Sequence, residues 1–192
     1  NGASVISMSI GGPAQSQVQK DALAVAYAYS FLVGAAGNNG KCIGIPNPLY
    51  KCPNGKRPIQ IYPGAFSYVL GVEASSPSGG KAGFSNWDQD GPIASAWPEL
   101  LNYEVRAPGA QIISAFPAGS TGDNGRYKFS QGTSMACPAV AGGVSLLKSF
   151  QPTFTHEKVF LHLIKTQTNN IQLNTAIDFI LPTEITYVTN TI

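Results

Sequence analysis

A serine, Ser134, stands among small residues in the segment SQGTSMACPAVAGG at 130–143. A serine hydroxyl at the start of a helix can attack a carbonyl carbon, because the helix N-terminus favours the oxyanion that forms. Gly132 permits a tight turn before Ser134, and the alanines and glycines that follow predict a helix that packs deep in the domain. A serine at this place can also simply cap the helix, so Ser134 alone does not establish any chemistry.

The segment VGAAGNNG at 33–40 holds a candidate partner for that serine. It follows an apolar run, and Asn38 comes directly after Gly37. A side-chain amide can donate a hydrogen bond to an oxyanion, but asparagine is also a common turn residue. Taken alone, a turn is the better interpretation of Asn38.

Apolar segments separated by turn residues predict the elements that position these side chains. The pattern predicts strands at 3–10, 30–36, 67–75 and 110–116, with an edge strand in the tail at 185–192. Helices are expected at 14–30, from the serine segment to about Phe150, and at about 156–166 with Thr155 as N-cap, whereas 76–108 looks irregular. Buried strands alternating with helices are typical of an α/β fold with a parallel sheet.

Composition excludes several classes of function. The chain has 192 residues, of which 43% are hydrophobic and 11% are charged, so it is expected to fold rather than stay disordered. The net charge is +2, and the densest basic group is Lys51, Lys56 and Arg57, which gives nucleic-acid binding little support. The longest uncharged run, 22–37, is too short to cross a bilayer, and no signal-peptide pattern is present. Neither nucleic acid nor a membrane span is therefore expected.

Two of the three cysteines flank a loop rich in Pro and Gly. A disulfide between Cys42 and Cys52 would stabilise that loop and would indicate an oxidising compartment, although two free thiols are the alternative. Cys137 lies in an apolar context and is expected to be a small buried thiol. The sequence therefore favours an extracellular or secretory location.

Four segments together resemble the subtilisin-like serine protease (subtilase) family. They occur in the family's order: S-x-G-G-P as 9–13, A-A-G-N as 35–38, A-P-G as 107–109 and G-T-S-M-A-x-P as 132–138. One short motif would be weak, whereas four in order make a chance match very unlikely. The resemblance implies a subtilisin-like parallel sheet with helices on both faces, incomplete in this chain, and hydrolysis of peptide bonds through an acyl-enzyme.

The resemblance also implies roles for particular residues. Ser134 would be the nucleophile, and Asn38 would donate its amide to the oxyanion. An extended substrate peptide would pair with Ser9, Ile10 and Gly11, and the other wall of the first specificity pocket would be formed by Ala35, Ala36 and Gly37. Asn39 is neutral where some relatives carry an acid, so no strong preference for a basic substrate residue is expected. Two small changes beside the nucleophile, Cys137 and Ala139, should be tolerated.

The general base is missing from the expected order. In subtilases the catalytic Asp and His precede S-x-G-G-P, which starts here at Ser9. His156 and His162 both follow Ser134 and are expected to be structural. We therefore expect 1–192 to be the C-terminal portion of one catalytic domain, with Asp and His on a missing segment or a separate N-terminal chain.

Two other functions are open. Gly132–Ala136 nearly fits the G-x-S-x-G turn of α/β-hydrolases, but Glu157 and His162 are the only acid and His in the required order, and they lie on one predicted helix. A non-catalytic subtilase-like module that binds peptides or serves as a scaffold is the second. No cofactor is required for the chemistry. Subtilases often bind structural calcium, but Asp88 and Asp90, the densest acidic pair, are better interpreted as a solvated turn.

Overall fold

The computed structural model describes residues 2–43, 52, 54–88, 105–117 and 126–166. Three helices and eight strands lie in these ranges. The strands are β1 (Val5–Met8), β2 (Phe31–Ala35), β3 (Cys42–Ile43), β4 (Leu70–Ser75), β5 (Trp87–Asp88), β6 (Val105–Pro108), β7 (Ile112–Ala115) and β8 (Tyr127–Ser130). The helices are α1 (Gln17–Tyr27), α2 (Thr133–Phe150) and α3 (His156–Thr166).

Four parallel strands form the main sheet, in the order β1-β2-β4-β6. Every residue of β2 and of β4 is buried, which explains why their sequences are apolar without alternation. Because the strands are parallel, their carboxyl ends lie at the same edge of the sheet. The segments that follow β1 and β2, which hold Ser9 and Asn38, therefore meet at that edge.

Helices cover the two faces of this sheet, as expected for the fold class. On one face Val33 and Val72 pack with the buried side of α2 and with Val159 and Leu163 of α3. On the other face Leu32 packs with Met8, Phe66 and Val69, and α1 contributes Leu23, Ala26 and Tyr27. Successive residues of β2 point to opposite faces, so Leu32 and Val33 join two different clusters.

One predicted strand belongs to a different sheet. The stretch predicted at 110–116 forms β7, which pairs antiparallel with β8 in a largely exposed ribbon. The fourth strand of the main sheet is β6, within a stretch predicted to be irregular. β6 has only four residues and contains Arg106, which pairs with Glu73 of β4 at 2.6 Å. A partly buried ion pair therefore stands where a fully apolar sequence would usually identify such a strand.

The three predicted helices are present, and only α1 is shorter than predicted, at both ends. α1 begins after Ser16, whose Oγ accepts a hydrogen bond from the Gln19 N–H at 3.4 Å. Thr155 Oγ1 accepts from the Lys158 N–H at 3.3 Å, in agreement with its prediction as an N-cap. The strand predicted in the tail lies outside the described residues.

A disulfide joins Cys42 and Cys52, whose Cα atoms are 5.6 Å apart. This confirms the predicted pair and fixes the start of the loop that follows β3. The described helices do not combine the length and the hydrophobicity that a bilayer crossing needs.

Candidate active site

The carboxyl edge of the sheet brings three separate segments together. They are the residues after β1, the residues after β2 and the first turn of α2. Hydrogen bonds join Asn38 to Thr133, which lies 95 positions away, and join Ser9 to Ser134, which lies 125 positions away. The two residues predicted to do chemistry, Ser134 and Asn38, are therefore neighbours in space.

The side chain of Asn38 is held by Thr133. Asn38 Oδ1 accepts from the Thr133 N–H at 2.9 Å and from Thr133 Oγ1 at 3.1 Å. Thr133 Oγ1 in turn accepts from the Gly37 N–H at 3.0 Å. Since both bonds go to the amide oxygen, they also decide which way the Asn38 Nδ2 group faces.

Two N–H donors beside Ser134 have no acceptor within the described part of the chain. They are Asn38 Nδ2 and the backbone N–H of Ser134, which is one of the unpaired donors at the start of α2. A Cβ on Gly132 would lie 3.4 Å from Asn38 Nδ2 and 3.6 Å from the Ser134 nitrogen. Gly132 has φ 154°, so it supplies the turn and leaves that space open. Donors that converge in this way can stabilise a negatively charged oxygen.

Asn86 holds the loop after β2, a role that no pattern in the sequence indicates. It is fully buried, and its Oδ1 accepts from the N–H groups of Asn39 and Lys41 at 3.0 and 3.1 Å. Its Nδ2 donates to the Ala36 carbonyl at 2.9 Å, and its own N–H donates to the Gly37 carbonyl at 2.9 Å. One buried side chain therefore fixes the backbone on both sides of Asn38.

Ser134 and Ser9 are joined by two reciprocal hydrogen bonds. Ser134 Oγ donates to the Ser9 carbonyl at 3.3 Å, and Ser9 Oγ donates to the Ser134 carbonyl at 2.8 Å. In the described residues no histidine or carboxylate forms a hydrogen bond with Ser134 Oγ. Within the described ranges, the hydroxyl proton of Ser134 is therefore shared with a backbone carbonyl and not with a side chain that could act as a base.

The remaining predicted residues fall into two groups. Ile10 and Gly11 are exposed and make no backbone hydrogen bonds within the described part of the chain, and a side chain at Gly11 would meet Ile61 at 2.5 Å. Ala35 and Ala36 are buried, and the Ala36 N–H donates to the Val72 carbonyl at 3.0 Å. The first group therefore has backbone groups open to an extended chain, whereas the two alanine side chains are buried and their part in a specificity pocket stays a prediction.

Cys137 lies one turn after Ser134 and is buried and unpaired. Its thiol is 3.5 Å from Ser7 Oγ. Burial raises the pKa of the Cys137 thiol, and hydrogen bonds involving Ser7, Met8 and Ser9 oppose that rise. A neutral thiol is what this environment favours, in agreement with the prediction of a structural cysteine.

Both histidines lie in aromatic surroundings on α3. His156 contacts Tyr27 and Phe31, with ring centroids 4.8 and 5.6 Å apart, and His162 contacts Phe154 at 5.8 Å. Phe31 begins β2, whereas Asn38 follows its other end, so His156 lies at the opposite edge of the sheet from the site. Burial lowers the pKa of His156, and Lys148 lowers it further. These contacts agree with a structural role.

No three His, Cys, Asp or Glu residues of the described ranges lie close enough to share a metal ion. Asp90 lies outside those ranges, and the side chain of Asp88 is not described. The interpretation of this pair as a solvated turn therefore stays a prediction, and structural calcium stays unassigned.

Comparison with known sequences places these features in one family. The subtilase family profile matches residues 1–181. The chain is 34% identical over 169 residues to subtilisin DY of Bacillus licheniformis, covering 88% of this chain and 51% of that protein. It is also 33% identical over 171 residues to a thermostable alkaline protease of Halalkalibacterium halodurans, covering 88% of this chain and 37% of that protein. The chain thus spans about half or less of the length of these relatives.

Solved structures give the same result for the fold. A protease from Pseudoalteromonas arctica superimposes with a TM-score of 0.71 at 25% identity, covering 92% of this chain and 51% of the other. A cold-adapted subtilisin-like serine proteinase gives a TM-score of 0.62 at 26% identity, covering 86% and 48%. These matches favour the subtilisin-like fold over the α/β-hydrolase alternative.

Proposed function

Since this chain belongs to the subtilase family, we propose that it carries the nucleophile and the oxyanion-binding groups of a serine endopeptidase. Ser134 is the nucleophile, and Asn38 Nδ2 and the Ser134 N–H bind the oxyanion. One observation carries the proposal. Thr133 fixes Asn38 Oδ1 with bonds of 2.9 and 3.1 Å, so the amide donors are held beside Ser134 and are available to a substrate.

In the proposed reaction, Ser134 Oγ attacks the carbonyl carbon of the scissile peptide bond, and the π electrons of that C=O move to its oxygen. The hydroxyl proton passes to a histidine, which delivers it to the leaving amine as the C–N bond breaks. Water then hydrolyses the acyl-enzyme by the same route and releases the carboxylic acid. The two N–H donors act when negative charge develops on the oxygen, which is where such groups contribute most to the rate.

The histidine and its aspartate come from an N-terminal segment that is not part of this chain. Two features of β1 fit such a segment: among the described residues β1 is an edge strand of the main sheet, and a cavity of about 470 Å³ lies beside it, lined in part by Ser4 and Lys148. Several apolar side chains on α1, just after α1 and on α2 are also exposed, namely Val18, Val25, Tyr29, Leu146 and Phe150. Unpaired edges and apolar patches of this kind call for a partner.

A substrate peptide would add as a strand along Ser9, Ile10 and Gly11. This mode recognises the peptide backbone, which suits an endopeptidase with broad specificity. Ala35, Ala36 and Gly37 would form the opposite wall of the first specificity pocket, and neutral Asn39 gives no reason to prefer a basic residue there. The disulfide at Cys42 supports an extracellular or secretory location. The chemistry needs no cofactor.

A non-catalytic peptide-binding subunit is the second candidate. It is favoured by one observation, the hydrogen bond from Ser134 Oγ to the Ser9 carbonyl, which occupies the hydroxyl proton. Such a subunit would keep the open backbone at Ile10 and Gly11 but would not acylate Ser134.

The deciding experiment is labelling with a fluorophosphonate in the presence of an N-terminal subtilase segment that carries Asp and His. Mass spectrometry should place the adduct on Ser134, and Ser134→Ala should abolish it. Ser149→Ala, a second serine on α2, is the matched control and should label normally. If a correctly folded assembly stays unlabelled, the chain is the peptide-binding subunit instead.

A further inference from the structure

The carbonyl of Ser134 lacks the hydrogen bond that an α-helix normally provides. In a helix the carbonyl of residue i accepts from the N–H of residue i+4, and for Ser134 that residue is Pro138. Proline has no N–H, and its ring also crowds the carbonyl four residues before it. The carbonyl of the candidate nucleophile is therefore left without its helical donor.

The hydroxyl of Ser9 supplies the missing donor. Ser9 Oγ donates to the Ser134 carbonyl at 2.8 Å, the shorter of the two bonds that join these residues. Ser9 stands directly after β1 and begins the segment that is free to receive a peptide. The donor for the Ser134 carbonyl is thus supplied by Ser9, in the proposed substrate-binding segment, and not by α2 itself.

A second contact joins the same two elements one turn further along. Ser7 Oγ lies 3.5 Å from Cys137 Sγ, and Met8, between Ser7 and Ser9, is buried. The Ser7 contact involves no atom of Ser134. It therefore provides a matched comparison: Ser7 in β1 and Ser9 directly after β1 both reach the first turns of α2, and only Ser9 forms hydrogen bonds with Ser134.

We propose that Ser9 is a positioning residue, whose hydroxyl replaces the N–H that Pro138 lacks and so fixes Ser134 against the substrate strand. The role rests on the proposed function of Ser134. Holding the backbone of Ser134 to Ser9 sets the distance between Oγ and a carbonyl carbon lying on that strand. Small errors in such a distance are costly, since a displacement of about 1 Å can lower a rate about 100-fold.

The test is a double-mutant cycle in the complete assembly. Ser9→Ala removes the hydroxyl, and Pro138→Ala restores a backbone N–H at the i+4 position. We expect Ser9→Ala to lower kcat and the fluorophosphonate labelling rate about 10- to 100-fold with little change in KM. Ser9→Thr, which keeps a hydroxyl, should restore most of the rate. In the Pro138→Ala background, the loss caused by Ser9→Ala should shrink to about 3-fold or less, because the carbonyl then has its own donor.

Two controls separate positioning from folding. Ser7→Ala removes the neighbouring hydroxyl and should leave kcat within about 3-fold of wild type, as expected for a residue without contact to Ser134. Thermal unfolding is measured for wild type, Ser9→Ala, Pro138→Ala and the double variant. Ser9→Ala should lower Tm by about 2–5 °C in the wild-type background and by less in the Pro138→Ala background.

Each outcome decides a part of the proposal. Coupling between the two positions in both kcat and Tm supports it. Coupling in Tm alone overturns the positioning role and leaves a structural hydrogen bond. Additive effects in both kcat and Tm overturn the claim that the Ser9 hydroxyl replaces the N–H that Pro138 lacks. A wild-type assembly that folds but resists labelling refutes the proposed function and the positioning role together, while the Tm cycle still decides whether Ser9 serves the orphaned carbonyl.

Discussion

The two sides of Ser134 differ in how their atoms are held. On the Asn38 side, the amide oxygen has two hydrogen bonds from Thr133, and buried Asn86 fixes the surrounding backbone. On the Ser9 side, Ser134 Oγ has one bond of 3.3 Å to an exposed strand end. Under the proposed function, the groups that stabilise charge lie among the described residues of this chain, whereas the group that accepts the proton is expected on the N-terminal segment. Mutations on the two sides should accordingly differ in which quantity they change, kcat or unfolding free energy, and in how large the change is.

The largest expected effect is that of the nucleophile itself. In the active assembly, Ser134→Ala should lower kcat by about 10⁶, the scale that subtilisin itself sets for loss of this group. The measurement is hydrolysis of a chromogenic peptide amide. Peptide binding, measured with a non-hydrolysable peptide, should be almost unchanged, and a large loss of binding would mean that Ser134 supports the fold of the site.

Asn38→Leu tests the charge-stabilising side directly. It should lower kcat by about 10²–10³ with KM nearly constant, a range known from the corresponding donor of subtilisin. Lys41→Ala, a change in the same loop that keeps the backbone hydrogen bond to Asn86, is the control and should have a much smaller effect. Equal losses from both variants would indicate a disturbed loop and would remove the distinction between the two sides.

Asn86→Leu should mainly lower stability. It leaves the N–H groups of Asn39 and Lys41 and the Ala36 carbonyl without their partner in a buried place, which we expect to cost about 2–4 kcal/mol of unfolding free energy. Chemical denaturation of the assembly measures this cost. If the unfolding free energy is unchanged but kcat falls, Asn86 acts on the position of Asn38 and not on the fold.

Thr133→Val should have a smaller effect on activity. It removes the Oγ1 bond to Asn38 but keeps the bond from the backbone N–H at 2.9 Å, so a loss of about 10-fold in kcat is expected. Thr133→Ser, which retains the hydroxyl, should recover most of that loss. A loss as large as that of Asn38→Leu would show that the hydroxyl itself contacts the oxyanion.

The smallest effect concerns pH and lies far from the site. Burial lowers the pKa of His156, so the folded state holds fewer protons than the unfolded state below about pH 6.5. Unfolding free energy should therefore decrease as the pH falls from about 6.5 through the lowered pKa. His156→Gln should flatten this part of the profile, and His162→Gln is the matched control. An unchanged profile in His156→Gln would mean that another group is responsible.

The buried strands of the main sheet and the positions of the candidate site residues can be predicted from local sequence. The apolar runs around Val33 and Val72 predict buried parallel strands, because strands covered on both faces leave no polar alternation. The serine motif predicts both the start of α2 and the identity of the candidate nucleophile, and A-A-G-N predicts the position of Asn38.

Long-range pairing is where the sequence was insufficient. The sequence does not predict β6, because the strand is short and contains a charged residue, Arg106. Arg106 is explained within the sheet only when its partner Glu73 is known. The strand at 110–116 was found but was expected in the wrong sheet, since β-branched residues suit an exposed ribbon as well as a buried strand. Asn86 was missed for the same reason: one asparagine in an irregular stretch carries no sign of the loop that it holds.

The bond between Asn38 and Thr133, which spans 95 positions, also has a consequence for biosynthesis. A contact between such distant segments forms late, after the intervening chain has been made and the loop has closed. A growing chain that has reached only Asn38 therefore holds neither half of the site in working order. Under the proposed function, the geometry needed for proteolysis therefore forms only after the chain has been made at least as far as Thr133 and Ser134.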